Sequence, residues 1–323
     1  MRGHWFKVHW LKALGTAASL GLAGWLLIVV VPSMGGGGWG GIVDQFRHIG
    51  TAALIGLTVL WFAGLWAYTY VLTGSLPGLR NGQAFALNAA GSAVSNLLPF
   101  GGAAGVALTA AMANSWGHTG PAIATSTVVS GVWNTVARLF LPVLAVVALA
   151  GSGVAVDHRI LTAALIAAAV LLLAVGALAW KRPTRWLGRI AGTRVARFLL
   201  RLRINLGTVV REGWPQMTGG MVAYLVLQAL LLWACLSATG VTLGLGATVA
   251  AFAVSRLLTL AVVTPGGIGV SENGTIALLL ALGHPAAPVA AGVLLFAFFT
   301  FVIEIPVGGV AWLKWSVRRA RSA

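Results

Sequence analysis

The sequence predicts an all-α integral membrane protein: six transmembrane helices plus two re-entrant helical hairpins in a 3+3 inverted repeat. Three observations carry that expectation. Hydrophobic residues make up 59% of the 323-residue chain and charged residues only 8%, against roughly 25% charged in an average soluble domain. Several apolar runs exceed the length of about 18 residues that marks a membrane span. Two further apolar stretches are broken in the middle by Pro and Gly, and one sequence offset relates them.

The six full spans fall at 13–32, 50–73, 120–150, 161–180, 215–240 and 286–312. The first follows Arg2, Lys7 and Lys12. Its apolar run to Val31 is too long for a signal-peptide core of about 7–15 residues, and no A-x-A cleavage site follows. It reads as an uncleaved first span. Trp10, Trp39, Trp116, Trp180, Trp214, Trp312 and Trp315 stand near the span ends, where indole rings favour the interface.

Orientation follows the basic residues. The N-terminus, the segment 181–211 (Lys181 to Arg211) and the C-terminal Lys314, Arg318, Arg319 and Arg321 fall on one side if there are six spans. The positive-inside rule names that side cytoplasmic, so a multi-pass protein of the cytoplasmic membrane with both termini inside is expected. The same bias accounts for the net charge of +16 without nucleic acid as a partner, since no basic stretch is long enough for a separate folded domain. Within 181–211, Val195, Phe198, Leu199 and Leu202 share one helical face and Arg194, Arg197 and Arg201 the other. That pattern fits an amphipathic helix on the inner leaflet or a plain topology anchor.

Cys235 is the single cysteine, so no intrachain disulfide forms. No Cys/His cluster has metal-ligand spacing, and no nucleotide loop or nucleophile–base pair is present. No cofactor, metal or enzymatic activity is expected.

The broken stretches are 83–115 and 243–284. Their breaks read Leu98-Pro99-Phe100-Gly101-Gly102 and Thr264-Pro265-Gly266-Gly267-Ile268-Gly269. Proline lacks an N–H and glycine relaxes the backbone, so a helix stops at each break. The arms 101–114 and 270–283 are shorter than the about 17 residues a span needs, which favours re-entrant hairpins. An offset of 166 places Thr73-Gly74 on Thr239-Gly240, Pro99 on Pro265, Gly101 on Gly267 and Gly117-His118 on Gly283-His284. A single transmembrane domain, 1–323, then divides into repeats 1–155 and 156–323. An odd number of spans per half inverts one against the other, an architecture of alternating-access transporters.

Arg138, Arg256, Glu272 and Glu304 lie inside apolar segments, where each costs about 2.5–3.5 kcal/mol on insertion scales and so needs a partner or a cavity. Arg138 and Glu304 are equivalent under the offset. The two arginines suit an anionic group, and the glutamates suit counter-charges or proton carriers. Two structural ion pairs are the competing explanation. Helices starting near Gly102 and Val270 would direct N–H groups at the membrane centre, which favours phosphate. Asn96, three residues before Pro99, suits a cap or a site wall. Asn88, Asn134 and Gln228 suit interhelical hydrogen bonds.

Ser255-Arg256-Leu257-Leu258 through Pro265-Gly266-Gly267-Ile268-Gly269-Val270-Ser271-Glu272 resembles the P-G-G-x-G-x-x-E segment of the lysylphosphatidylglycerol synthase transmembrane family, or flippase-like domain proteins. Asn96-Leu97-Leu98-Pro99 with Gly101-Gly102 resembles its earlier N-x-x-P-x-x-G element, and Ala137-Arg138-Leu139 its E-R-L element. The resemblance implies a polytopic domain that moves or presents lipids, without the soluble aminoacyl-transferase domain of full synthases. The chain departs from the pattern at Ala137, where the family often has Glu, and at Phe298 or Phe299, where it often has a basic residue. The acidic residue that often follows the first Gly motif is also absent.

The expected function is therefore lipid translocation, with membrane lipids of anionic headgroup (a phospholipid or a polyprenyl phosphate derivative) as partners. The expected site is Arg138, Arg256, Glu272, Glu304, Asn96, Pro99, Gly101, Gly102, Pro265, Gly266, Gly267 and Gly269. The alternatives are a proton-coupled transporter or channel for a small solute, and a scaffold for a lipid-modifying enzyme docked on 181–211.

Overall fold

Every described element of the computed structural model is helical. It describes residues 18–36, 38–98, 101–151, 162, 166, 169, 193–259 and 264–322, with the backbone alone for 193–206, 208, 265 and 322. The helices are α1 (Ala18–Met34), α2 (Gly38–Arg47), α3 (Thr51–Ser75), α4 (Asn81–Leu97), α5 (Gly101–Ser115), α6 (Gly120–Gly151), α7 (Thr193–Ala238), α8 (Leu245–Leu258), α9 (Val270–Ala281) and α10 (Ala286–Arg321). Among the described residues, α3, α6, the Val209–Ala238 part of α7, and α10 are long and apolar enough to cross a membrane. The bent pair α1–α2 makes a fifth. The expected span 161–180 and most of the basic segment 181–211 lie outside the described residues, as do residues 13–17 of the first span.

Two expectations change. Residues 38–47 were expected as part of a loop, but they form α2, turned 84° from α1. Gly36 and Gly38, at φ of 67° and 62°, supply the left-handed backbone that the reversal needs. The basic stretch 193–203 is no separate helix. It continues into the span as one helix from Thr193 to Ala238, with no proline between Thr193 and Trp214 and with Pro215 carried inside the helix.

The outward faces of the long helices are apolar. Ile55, Val59, Val147, Val222 and Val302 are each more than half exposed, a surface suited to lipid and not to water. Inside, glycines set the helix spacing, since helix association in lipid relies on close packing of small residues. Gly74 of α3 lies against Gly213 and Met217 of α7, Gly220 against Tyr70 and Ala67, and Gly64 against Leu227 and Gln228. The paired numbers run in opposite directions, so α3 and α7 are antiparallel. Gly308 brings α10 onto the Ala89 carbonyl of α4, and Gly292 brings it onto Leu236 and Thr239 of α7.

The two broken stretches form helical hairpins, α4–α5 and α8–α9, whose arms pack on each other. Each arm has 12 to 17 residues, short of the about 20 a span needs. In the first hairpin Gly91 and Gly105 allow close contact between arms. The second turns at Pro265–Gly267, with Gly266, Gly267 and Gly269 all at positive φ. There the Glu272 carboxylate accepts the Gly269 backbone N–H and closes the first turn of α9.

α1 and α10 each contain a π-helical turn, Leu26–Val30 and Phe298–Val302. A hairpin asparagine donates its side-chain amide to a carbonyl of each turn. Asn273 Nδ2 reaches Leu26 O at 3.2 Å, and Asn96 Nδ2 reaches Phe301 O at 3.5 Å.

Adjacent glycines of α7 test the packing. A methyl group on Gly220 would lie 2.8 Å from Tyr70 Cβ, whereas Gly219 has nothing within 4 Å. Gly220→Ala is expected to lose about 1–3 kcal/mol of stability and Gly219→Ala to lose none, read as thermal unfolding in detergent. Glu272→Ala strands the Gly269 N–H and is expected to lose about 1–3 kcal/mol. Glu272→Gln, which keeps an acceptor oxygen, loses less by the same measurement.

Candidate functional site: a polar cavity between the hairpins

On α6, Ser126, Ser130, Asn134 and Arg138 recur every fourth residue, which places them on one helical face. That face lines a cavity of about 600 Å³. From Ile123 to Arg138 the wall rises about 22 Å at 1.5 Å per residue. The opposite wall is the first hairpin, with Asn88, Ser92, Ser95 and Asn96 from α4 and Gly101, Gly102 and Thr109 from α5. One end lies among Leu72, Leu76, Ala113 and Ile123, close to the ends of α3, α5 and α6. The other end meets Arg256, Thr259, Thr264, Gly266, Gly267, Phe301 and Glu304.

The charged side chains gather at that inner end. Arg138 Nη1 donates to Thr259 Oγ1 at 3.1 Å. The Thr259 hydroxyl donates in turn to the Arg256 carbonyl at 2.6 Å, so one threonine couples the two arginine positions. Arg256 is 7% exposed. Its guanidinium lies over the rings of Phe252 and Phe296, 5.4 and 5.2 Å from their centroids, an arrangement that favours a cation. Its Nε has no hydrogen-bond partner. Glu304 is buried, with the Ser92 and Asn96 side chains as hydrogen-bonding neighbours.

Two more buried polar atoms on the cavity wall are unpartnered: Gln228 Oε1 and Thr264 Oγ1. A buried polar group left without a partner costs roughly 1–3 kcal/mol. Arg256, Gln228 and Thr264 all line the cavity, so its wall carries both donors and acceptors for a polar guest. With two arginines against one glutamate on the wall, the guest with the better charge match is an anion. Tyr68 and Tyr224, stacked edge to face at 5.1 Å, close the side of the chamber.

The structure brings together Arg138, Arg256, Glu304, Asn96, Gly101, Gly102, Gly266 and Gly267 from the expected site. Glu272 and Gly269 stand apart from the cavity and hold the second hairpin's turn. Pro99 and the side chain of Pro265 lie outside the described residues. Asn88, Asn134 and Gln228, expected as interhelical hydrogen-bonding groups, line the cavity. The fourfold spacing of Ser126, Ser130, Asn134 and Arg138 was the signal in the sequence that would have found the α6 wall. Asn88, Ser92 and Asn96 repeat the same fourfold spacing on α4, whereas Tyr68, Tyr224, Thr259 and Thr264 carry no such pattern. Phe298 is 46% exposed and Phe299 is buried in the core, so neither reaches the cavity. Among the described residues, no three His, Cys, Asp or Glu side chains could hold a metal ion.

No curated protein matches the chain. A family match covers residues 13–308, and with it the first four spans, both hairpins and most of α10. This multi-pass membrane protein belongs to the family described as the lysylphosphatidylglycerol synthase TM region.

Proposed function

We propose that the protein is a flippase-like translocator of a lipid with a phosphate-bearing, anionic headgroup, a phospholipid or a polyprenyl-phosphate-linked lipid. The observation that carries this reading is the pair Arg138 and Arg256 at the inner end of a polar cavity, inside a body whose outer faces are apolar. The headgroup enters between α6 and the first hairpin, and the acyl or prenyl chains stay in the surrounding lipid. The chain moves its substrate without changing it chemically.

An inverted repeat in the cytoplasmic membrane, both termini inside, completes the reading. The offset of 166 carries α3 onto 217–241, within 3 residues of the end of α7, and carries α6 onto 286–317, the body of α10. The equivalent helices α3 and α7 run antiparallel, as halves of opposite orientation require. The packing is also reciprocal: α4 rests on α10, and α8, its counterpart, rests on α6. Each hairpin is thus braced by the last long helix of the other half. The short arms and mid-helix breaks favour re-entrant hairpins, since irregular backbone at membrane depth is tolerated only against protein or a wet cavity.

Glu304 in the same chamber, beside Ser92 and Asn96, favours one second reading, a proton-coupled carrier of a small anion.

Purified protein in liposomes with fluorescent phospholipid or polyprenyl phosphate, followed by an impermeant quencher, distinguishes the two. Lipid translocation is expected, with Arg256→Gln lowering the rate about 10- to 100-fold, the loss of one charged hydrogen-bonding group. Unchanged translocation in that variant removes the phosphate clamp. Glu304→Gln is expected to leave lipid movement largely intact. A pH-dependent solute flux that Glu304→Gln abolishes, with no lipid movement, establishes the second reading instead.

A further inference from the structure

The two hairpins contribute unequally to the cavity wall. Among the described residues, 229–255 and 268–299 contribute nothing to it. Those segments instead pack Phe252, Ile276, Leu279, Phe296 and Phe299 into the main apolar core. The seam between cavity and core is Phe301. Its ring lies against the tip of the second hairpin, where a methyl group on Gly266 would be 2.9 Å from Phe301 Cε1. Its carbonyl accepts the amide of Asn96, at the end of the first hairpin's leading arm. One residue therefore touches both hairpins at the floor of the cavity.

Phe301 also sits in the π-helical turn Phe298–Val302. A π turn holds one extra residue and recurs at functional sites. Returning it to α-helical register rotates everything beyond it by about 100°, one residue's share of a 3.6-residue turn. Glu304 and Gly308 lie just beyond, so the same step would move the cavity's carboxylate and the α10 contact on Ala89. The second π turn, Leu26–Val30, holds the same hairpin tip from another side. Gly269 packs on Leu26, and the amide of Asn273 bonds the Leu26 carbonyl. The tip is clamped between the two π-helical turns.

We propose that Phe301 is the plug that closes the inner end of the cavity, and that the π-helical turn carrying it is the switch that opens the cavity to the opposite face of the membrane. This rests on the translocator reading above. The test is chosen so that the two can fail separately.

Cys235 is buried in the core and is the single native cysteine, so Cys235→Ala gives a thiol-free background. Ser130→Cys then reports on the cavity, with an impermeant maleimide added to either face of oriented proteoliposomes. The parent is expected to label from one face only. Phe301→Ala is expected to raise labelling from the other face about tenfold, a shift of about 1.4 kcal/mol in the open–closed balance. Phe301→Leu keeps most of the bulk and serves as a second variant, with a smaller rise in the same direction. Phe301→Trp is expected to keep labelling one-sided. Labelling that stays one-sided in folded Phe301→Ala and Phe301→Leu overturns the plug, whatever the lipid assay gives. A change in sidedness with no lipid movement in any variant upholds the plug and removes the lipid reading.

Discussion

A chain that stops a helix inside a packed helical body must satisfy the amides and carbonyls it frees, because an unpaired buried backbone group is costly. The arrangement around the second hairpin follows from that constraint. The Glu272 carboxylate takes the Gly269 N–H, and the Asn273 amide spans Gly269 O and Leu26 O. Asn96 does the same service for Phe301 O from the first hairpin. These side chains are spent on backbone, which is why Glu272 stands out of the cavity although its charge drew attention to it.

With the breaks secured, the hairpins can end near the middle of the protein and leave room between them. The two hairpins border that room differently. The first hairpin is rich in Ser and Asn and packs through a small apolar cluster around Leu87, Ala90 and Met112. The second is joined to the large core that includes Phe252, Leu279 and Phe296. The first hairpin is therefore a polar wall along most of the cavity, and the second meets the cavity only near its tip. Arg256 sits on the boundary, its guanidinium held by two aromatic rings and its Nε unspent. A buried cation with an unspent donor is costly alone and favourable with an anion beside it, and the cavity provides the way to bring one.

Close approach of the helices makes the chamber geometry possible. Gly74, Gly213 and Gly220 let α3 and α7 meet along an antiparallel seam, and Gly308 seats α10 on α4. Because lipid gives apolar surfaces no reason to associate, such contacts and a few interhelical hydrogen bonds carry the packing. Ser75 to Ser126 at 2.7 Å and Gln216 to Thr73 at 2.8 Å are examples.

The sequence by itself determined the class of protein, the spans near 50–73, 120–150, 215–240 and 286–312, and the two breaks. Apolar length and Pro-Gly interruptions act locally, through solvation and backbone freedom, and can be read without knowing the neighbours. It also singled out Arg138, Arg256 and Glu304, because a charge in an apolar run is costly wherever it lands. Only the tertiary structure decided which polar groups face one another. Thr264 resembles many other small polar residues in the chain until packing puts it on the cavity. Glu272 looked equivalent to Glu304, yet a turn three residues away claimed its carboxylate. That Phe301 meets Asn96 on the cavity wall depends on a contact between residues 205 positions apart, and no local rule of composition or spacing encodes it.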